Sequence, residues 1–299
     1  MAVETETRRV RLYSLAEFDL PLPWNRALLL LVAANCVGLS FEVALSHSAN
    51  EFRPPTEWIP IPWGPLGFLT SLWLAVRRRP GTAAFLLHFV VMGLGVAIGI
   101  LGLAFHAYAA IGQGWNWLIN SAPLLAPLAF AGVGLVGITA GVREEPAGSG
   151  RFVIPGLGIA EAPITRHQQF LWLIGLGMLL TTLTVVLDHA QQGGYVFGEW
   201  IALAYGFFAS VVALGMALRR PERVSRGDAT LYVWTMLLGI VVGVAGVGFH
   251  VARDLSPGGG LVMERFIDFA PVLAPLLYAD LGVLGLIVAA EPVEVVAAA

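Results

Sequence analysis

The sequence predicts an all-α integral membrane protein of eight transmembrane helices, built as two tandem four-helix repeats related by a pseudo-twofold axis along the membrane normal. Three observations predict it. Of 299 residues, 57% are hydrophobic and 12% charged, where a soluble domain of this length carries about twice that charge, and mean hydropathy is +0.77. The apolar residues fall in runs of about 20, the length that crosses a hydrocarbon core. Motifs of the first half recur in the same order in the second.

The spans fall at 24–47, 63–79, 82–108, 118–141, 167–190, 197–218, 229–252 and 264–290. Between them stand the breakers RPPTEWIPIP, RRRPG, GQGWN, REEPAGSG, QQGG, RRPERVSRGD and SPGGG. This divides the chain into an N-terminal cytoplasmic or interfacial segment (1–23), a first repeat (24–141), a polar cytoplasmic linker (142–166), a second repeat (167–290) and a tail (291–299). The N-terminus has no cleavable signal pattern, so the first span is expected to act as an uncleaved signal-anchor. The stretch from Arg8 to Leu20 mixes arginines with Leu12, Tyr13, Leu15 and Phe18, and is expected to lie along the inner surface.

Arginine sets the expected topology. All 17 basic residues are arginine. With the N-terminus cytoplasmic, only Arg53, Arg253 and Arg265 fall outside, and the other 14, Arg8, Arg166 and Arg220 among them, fall inside. That is a positive-inside bias, and it places both termini in the cytoplasm of a cell with the protein in its inner membrane. Trp58, Trp63, Trp115, Trp117 and Trp200 then form an outer aromatic belt. Net charge of −3 gives no sign of nucleic-acid binding. Absence of lysine removes a retinal Schiff base. Cys36, the single cysteine, excludes an internal disulfide and thiolate clusters and reads as a small buried residue. No nucleotide loop, HExxH, GxSxG or Ser–His–Asp arrangement is present.

Four alignments carry the repeat. VALSH ending at His47 matches VVLDH ending at His189, and VRRRP ending at Pro80 matches LRRP ending at Pro221. AFH ending at His106 matches GFH ending at His250, and APLLAP at 122–127 matches APVLAP at 270–275. Each repeat has an even number of spans, so both copies take the same orientation.

The alignments pair four of the six histidines. His47 and His189 end the first helix of each half, and His106 and His250 the third. All four sit at one depth near the outer surface, on helices that can face each other across a four-helix core. Neutral imidazole is a common ligand of haem iron and transition metals, and two histidines on facing helices can hold a haem in a bundle. Glycines 93, 95, 99 and 102 stripe the third helix, and 239, 243, 246 and 248 the seventh. They leave room for a flat ligand or a closely packed helix. The competing reading is that each histidine caps backbone carbonyls at a helix end.

Other polar groups in the spans are candidate proton sites because they are costly there. Glu42 lies about 7 Å deeper than His47 on the same helix, with Thr184 at the matching position. Asp280 and His88 both fall toward the cytoplasmic side, where a buried Asp–His pair is conceivable if the halves pack closely. The prolines Pro123, Pro127, Pro271 and Pro275 enter the first turns of the returning helices and are expected to kink them.

The layout of eight spans, two four-helix halves and an outer histidine pair in each resembles haem A synthase. In that family the histidines lie on the even helices and a glutamate closely accompanies one of them. Here all four end odd helices and Glu42 is the single candidate acid, so no residue role carries over; the resemblance implies only that such a layout can hold haem. The leading expectation is a membrane redox or metal-binding protein with haem b or a transition-metal ion on His47, His106, His189 and His250. Its expected partners are the lipid bilayer and other membrane or outer-face redox subunits. A non-catalytic subunit that anchors partner proteins, and a transporter with its path between the halves, are the alternatives.

With Cys36 replaced, single cysteines placed near Arg53, Gly114, Gly193 and Gly259 should react with a membrane-impermeant thiol reagent in intact cells. Protection of all four contradicts the assigned topology.

Overall fold

The computed structural model describes residues 9–13, 15–49, 51–111, 123–190, 196–219, 223–255, 259–260, 262–268 and 271–292. Arg8, Trp115, Trp117, Arg220, Pro221 and the tail beyond 292 lie outside the described residues, so nothing is said of their structure.

Eight principal helices follow in order. They are α1 (Trp24–Ser48), α2 (Pro60–Val76), α3 (Thr82–Ala110), α4 (Leu128–Gly141), α5 (Arg166–Ala190), α6 (Phe197–Ala217), α7 (Arg226–Asp254) and α8 (Leu276–Ala289). A 3-10 turn, Pro55–Trp58, precedes α2, and a short helix, Met263–Asp268, precedes α8. Among the described residues six helices, α1, α2 (with the 3-10 turn before it), α3, α5, α6 and α7, are long and apolar enough to cross a membrane. Large apolar side chains point outward from them, with Val90 60%, Val241 62% and Val211 70% exposed. Such a surface suits hydrocarbon and not water. The protein is therefore an all-helical membrane protein in its main mass.

The fourth and eighth helices are shorter than the sequence suggests. Each has 14 residues, about 21 Å at 1.5 Å per residue, against a hydrocarbon core of roughly 30 Å. The prolines explain the difference. Pro127 and Pro275 stand immediately before the first helical residue, and Pro123 and Pro271 lie in non-helical backbone. A proline has no N–H and crowds the carbonyl four residues earlier. Among the described residues each helix begins only after the second proline of its pair.

Within the first half the helices touch in the cyclic order α1, α2, α3, α4 and back to α1. The second half repeats that order with α5, α6, α7 and α8. The halves meet through α1 against α8 and α4 against α5. Details recur with the order. A Cβ on Gly99 would lie 2.6 Å from Ala131 N, and one on Gly243 would lie 2.6 Å from Ala279 N. Trp63 Nε1 donates to Val91 O at 2.8 Å, tying α2 to α3, and Tyr205 OH donates to Thr235 O at 3.1 Å, tying α6 to α7. Trp63 is thus a core residue, 3% exposed, and not part of an outer belt, because its indole N–H has a backbone partner inside the bundle. Trp58 and Trp200 are exposed as the belt requires.

The end of the bundle opposite the paired histidines carries structure that apolar periodicity does not announce. Residues Arg9–Leu12 and Ala16–Asp19 form strands β1 and β2, and β1 also pairs antiparallel with β6 (Ala290–Pro292). The two ends of the chain are thus joined, with Val10 fully buried and Tyr13 edge-on to Tyr232. Arg11 and Arg9 flank Glu17, and the Arg11 guanidinium holds its carboxyl below the usual value. Arg143–Glu144, Arg151–Ile154 and Gly158–Glu161 form β3, β4 and β5, a second antiparallel sheet in the linker. Arg166, although counted among the cytoplasmic arginines, is buried. It donates to Thr139 O (2.9 Å), Ala140 O (2.8 Å) and Asn25 Oδ1 (3.1 Å), and lies over the Trp24 ring. Trp24 Nε1 donates in turn to Ile287 O at 2.6 Å. This cluster pins α1, α4, α5 and α8 together where the halves meet.

Gly99→Ala and Gly243→Ala should each destabilise the protein by about 1–3 kcal/mol, seen as a lower unfolding temperature in detergent. Gly93→Ala, at a position with nothing within 4 Å, should leave it unchanged. Equal behaviour of all three would contradict the packing described.

Candidate functional site

Each histidine sits where a long helix nears its C-terminal end. His47 and His189 are in the last turns of α1 and α5, and His106 and His250 each stand four residues before the last residue of α3 and α7. All four are half-buried. In the second half the two rings face each other edge-to-face, with centroids 6.3 Å apart and planes at 88°. In the first half His47 and Glu57 are the charged neighbours of His106. The sequence pairing of His47 with His106 and of His189 with His250 therefore corresponds to neighbours in space.

What holds the rings is backbone. His106 Nδ1 lies 2.9 Å from Pro123 O, and His250 Nδ1 lies 2.9 Å from Pro271 O. His47 Nδ1 lies 3.2 Å from Glu57 O, and His189 Nδ1 lies 3.1 Å from Val185 O. A carbonyl oxygen only accepts, so each Nδ1 carries the proton and donates it. In a neutral imidazole the other nitrogen, Nε2, then keeps its lone pair. This is the arrangement in which metal-bound histidines are commonly held, with Nδ1–H on a carbonyl and Nε2 toward the metal. It is also what a helix-end cap looks like when viewed from the carbonyl side. His189 Nε2 has a carboxylate nearby, Glu199 Oε1 at 3.6 Å, while Glu199 Oε2 accepts from Val196 N–H at 2.9 Å and closes the first turn of α6.

The prolines explain why the acceptors are there. Because Pro123 and Pro271 precede helices that start only at Leu128 and Leu276, their carbonyls lie outside the regular ladders, and the imidazoles of the preceding long helices take them. This tie was not readable from the sequence, although both motifs were. The matched prolines 17 and 21 residues after the histidines were the available signal.

The glycine stripes do not open a slot for a flat ligand. Gly99 and Gly102 pack on Ala131 and Pro127, and Gly243 and Gly246 on Ala279 and Pro275. Gly95 meets the Trp63 ring and Gly239 the Tyr205 hydroxyl. Most of the stripe is therefore consumed by helix packing, the ordinary use of small residues in membranes.

The three candidate proton groups do not form a relay. His88 is fully buried and its Nε2 donates to Gly137 O at 3.1 Å. Among the described residues no hydrogen bond or ion pair joins it to Asp280. The expected Asp–His pair is absent because α4 supplies the histidine with a carbonyl of its own half. Among the described residues His88 Nδ1 has no hydrogen-bond partner, and neither has the hydroxyl of Tyr232, which holds the matching position in the second half. Glu42 is engaged as well: its Oε2 accepts from Leu273 N–H at 3.1 Å.

Among the described residues no group of three or more His, Cys, Asp or Glu side chains converges to hold a metal ion. No protein family, curated protein or solved structure matches the chain.

Proposed function

We propose that this chain is an eight-span protein of the cytoplasmic membrane with both termini inside, built by duplication of a four-helix unit, that holds haem b between the paired histidines at the outer end of each half and transfers electrons there. The observation that carries the reading is the common state of the four imidazoles. Each gives its Nδ1–H to a carbonyl, which in a neutral ring leaves the lone pair on Nε2; at His189 that nitrogen faces Glu199 Oε1 at 3.6 Å. The separation of His189 and His250 supports it. Two imidazoles on opposite sides of one iron, each bonded at about 2.0 Å, have ring centroids about 6 Å apart, and these lie 6.3 Å apart.

Ligand number favours haem over a bare ion. A zinc or copper site draws three or four ligands from the protein, whereas haem iron needs two, the porphyrin supplying the rest. Two is what each half offers. When bound, haem supplies one-electron chemistry. The protein's part is to hold both Nε2 atoms toward the iron, and for His189 this means giving up the approach of Glu199. The outer position suits exchange with a redox partner on that face.

A second reading follows from the packed glycines. If the histidines serve only to tie long helices to the proline segments, the protein is a rigid, non-catalytic anchor for partner proteins.

Protein expressed in haem-replete cells and purified in detergent should show a Soret band and, on reduction, the sharp visible bands of six-coordinate low-spin iron. Haem content should be two per chain, falling to one in His250→Ala and in His106→Ala. Colourless wild-type protein, or unchanged haem content in all four alanine variants, would contradict the haem reading and favour the anchor.

A further inference from the structure

We propose that Glu42 is a positioning residue that the first half supplies to the histidine site of the second. Its consequence for haem rests on the reading above; its geometry does not. Glu42 lies on α1, five residues before His47, and is half-buried. Its carboxylate crosses to the other half, where Oε2 accepts from Leu273 N–H at 3.1 Å. Leu273 stands two residues after Pro271, whose carbonyl takes the His250 Nδ1–H at 2.9 Å. One short segment thus receives a carboxylate from one side and an imidazole from the other.

The carbonyls of Leu273, Ala274 and Pro275 are taken by the N–H groups of Leu276, Leu277 and Tyr278, which leaves the Leu273 N–H and the Pro271 carbonyl to be met from other helices. Residues 271–275 lie outside any helix, and Pro271 and Pro275 bring no N–H. A hydrogen bond to a carboxylate is stronger than one between neutral groups, and more so where water is excluded. Fixing the Leu273 peptide fixes the direction of the Pro271 carbonyl. The carbonyl in turn sets which nitrogen of His250 carries the proton and where Nε2 points. Outer partners of this kind commonly tune a metal-ligating histidine.

The device is one-sided. Thr184, at the matching position of α5, donates its hydroxyl to Leu180 O at 3.0 Å on its own helix. The two histidine pairs are therefore not held alike, and Glu42 sets the second one, His189 with His250, apart. A carboxylate is costly within a membrane helix, and its use on a backbone N–H of the opposite half explains its place better than a proton relay does.

The test uses full-length protein labelled with ¹⁵N-histidine, made in haem-deficient cells and placed in bilayers without haem, with His250 signals assigned from His250→Ala. Wild-type His250 should show a protonated Nδ1 and a bare Nε2. Glu42→Gln, whose amide oxygen still accepts, should preserve both signals. Glu42→Ala should mix the tautomers of His250 and leave those of His106 unmoved. In a His106→Ala background, Glu42→Ala should weaken haem retention by about tenfold or more, and Glu42→Gln should not. The proposal is overturned if Glu42→Ala leaves the His250 signals at their wild-type values, or if Glu42→Gln behaves as Glu42→Ala does. Should Glu42→Ala fail to fold, hydrogen exchange of the wild-type protein decides: the Leu273 amide should be protected, and rapid exchange there refutes the bond. The tautomer and exchange measurements need no cofactor, so absence of haem would end the haem reading without deciding this one.

Discussion

Two backbone carbonyls, those of Pro123 and Pro271, organise the end of this protein where the paired histidines sit. In a membrane every backbone polar group must find a partner inside the structure. A helix interrupted by two prolines four residues apart exposes carbonyls that its own ladder cannot satisfy. The imidazoles of His106 and His250 meet that need at 2.9 Å in both halves. The tie brings the end of one long helix against the start of a short one. It holds the proton on Nδ1 and leaves Nε2 unencumbered. Packing and chemistry are therefore one arrangement at these positions: the bond that closes the backbone also prepares the ligand.

The halves are held together at both ends by polar contacts with different emphases. At the end opposite the paired histidines Arg166 and Trp24 bind carbonyls of α4 and α8, and β1 pairs with β6. The Arg166–Trp24 cluster is a buried cross-link among the four helices at the interface. Toward the histidine end, Glu42 to Leu273 bridges the halves, beside close packing of helix backbones within each half. Glycine makes this possible: Gly99 and Gly243 let α4 and α8 approach the backbones of α3 and α7 more closely than any side chain would allow.

Much of the architecture was legible because the membrane leaves few solutions. Apolar runs and arginine placement announced the helices, and His47, His106, His189 and His250 were singled out by recurrence alone. What escaped the sequence depended on contacts distant along the chain. Val10 and Arg11 read as part of a surface segment, yet they pair with Pro292 and Glu291 at the other end of the chain. A four-residue strand carries too little periodicity to announce a partner so remote. Trp63 looks like an interfacial aromatic until Val91 O takes its N–H. The glycine stripes suggested space, and the structure fills it with helix backbone. Asp280 and His88 both fall toward one side of the bundle in the sequence, yet His88 is bonded to Gly137 O, because position along a helix does not specify its face toward another.

The most direct test of the central claim is an X-ray anomalous-difference map at the iron edge, from crystals of protein grown in haem-replete cells. The account predicts a peak between His189 and His250, about 2.0 Å from each Nε2, with Nδ1 of His250 still on Pro271 O. A second peak is predicted between His47 and His106. A map without iron at either pair, with the Nε2 atoms turned apart toward lipid or solvent, would contradict it and leave the histidines as ties between helices.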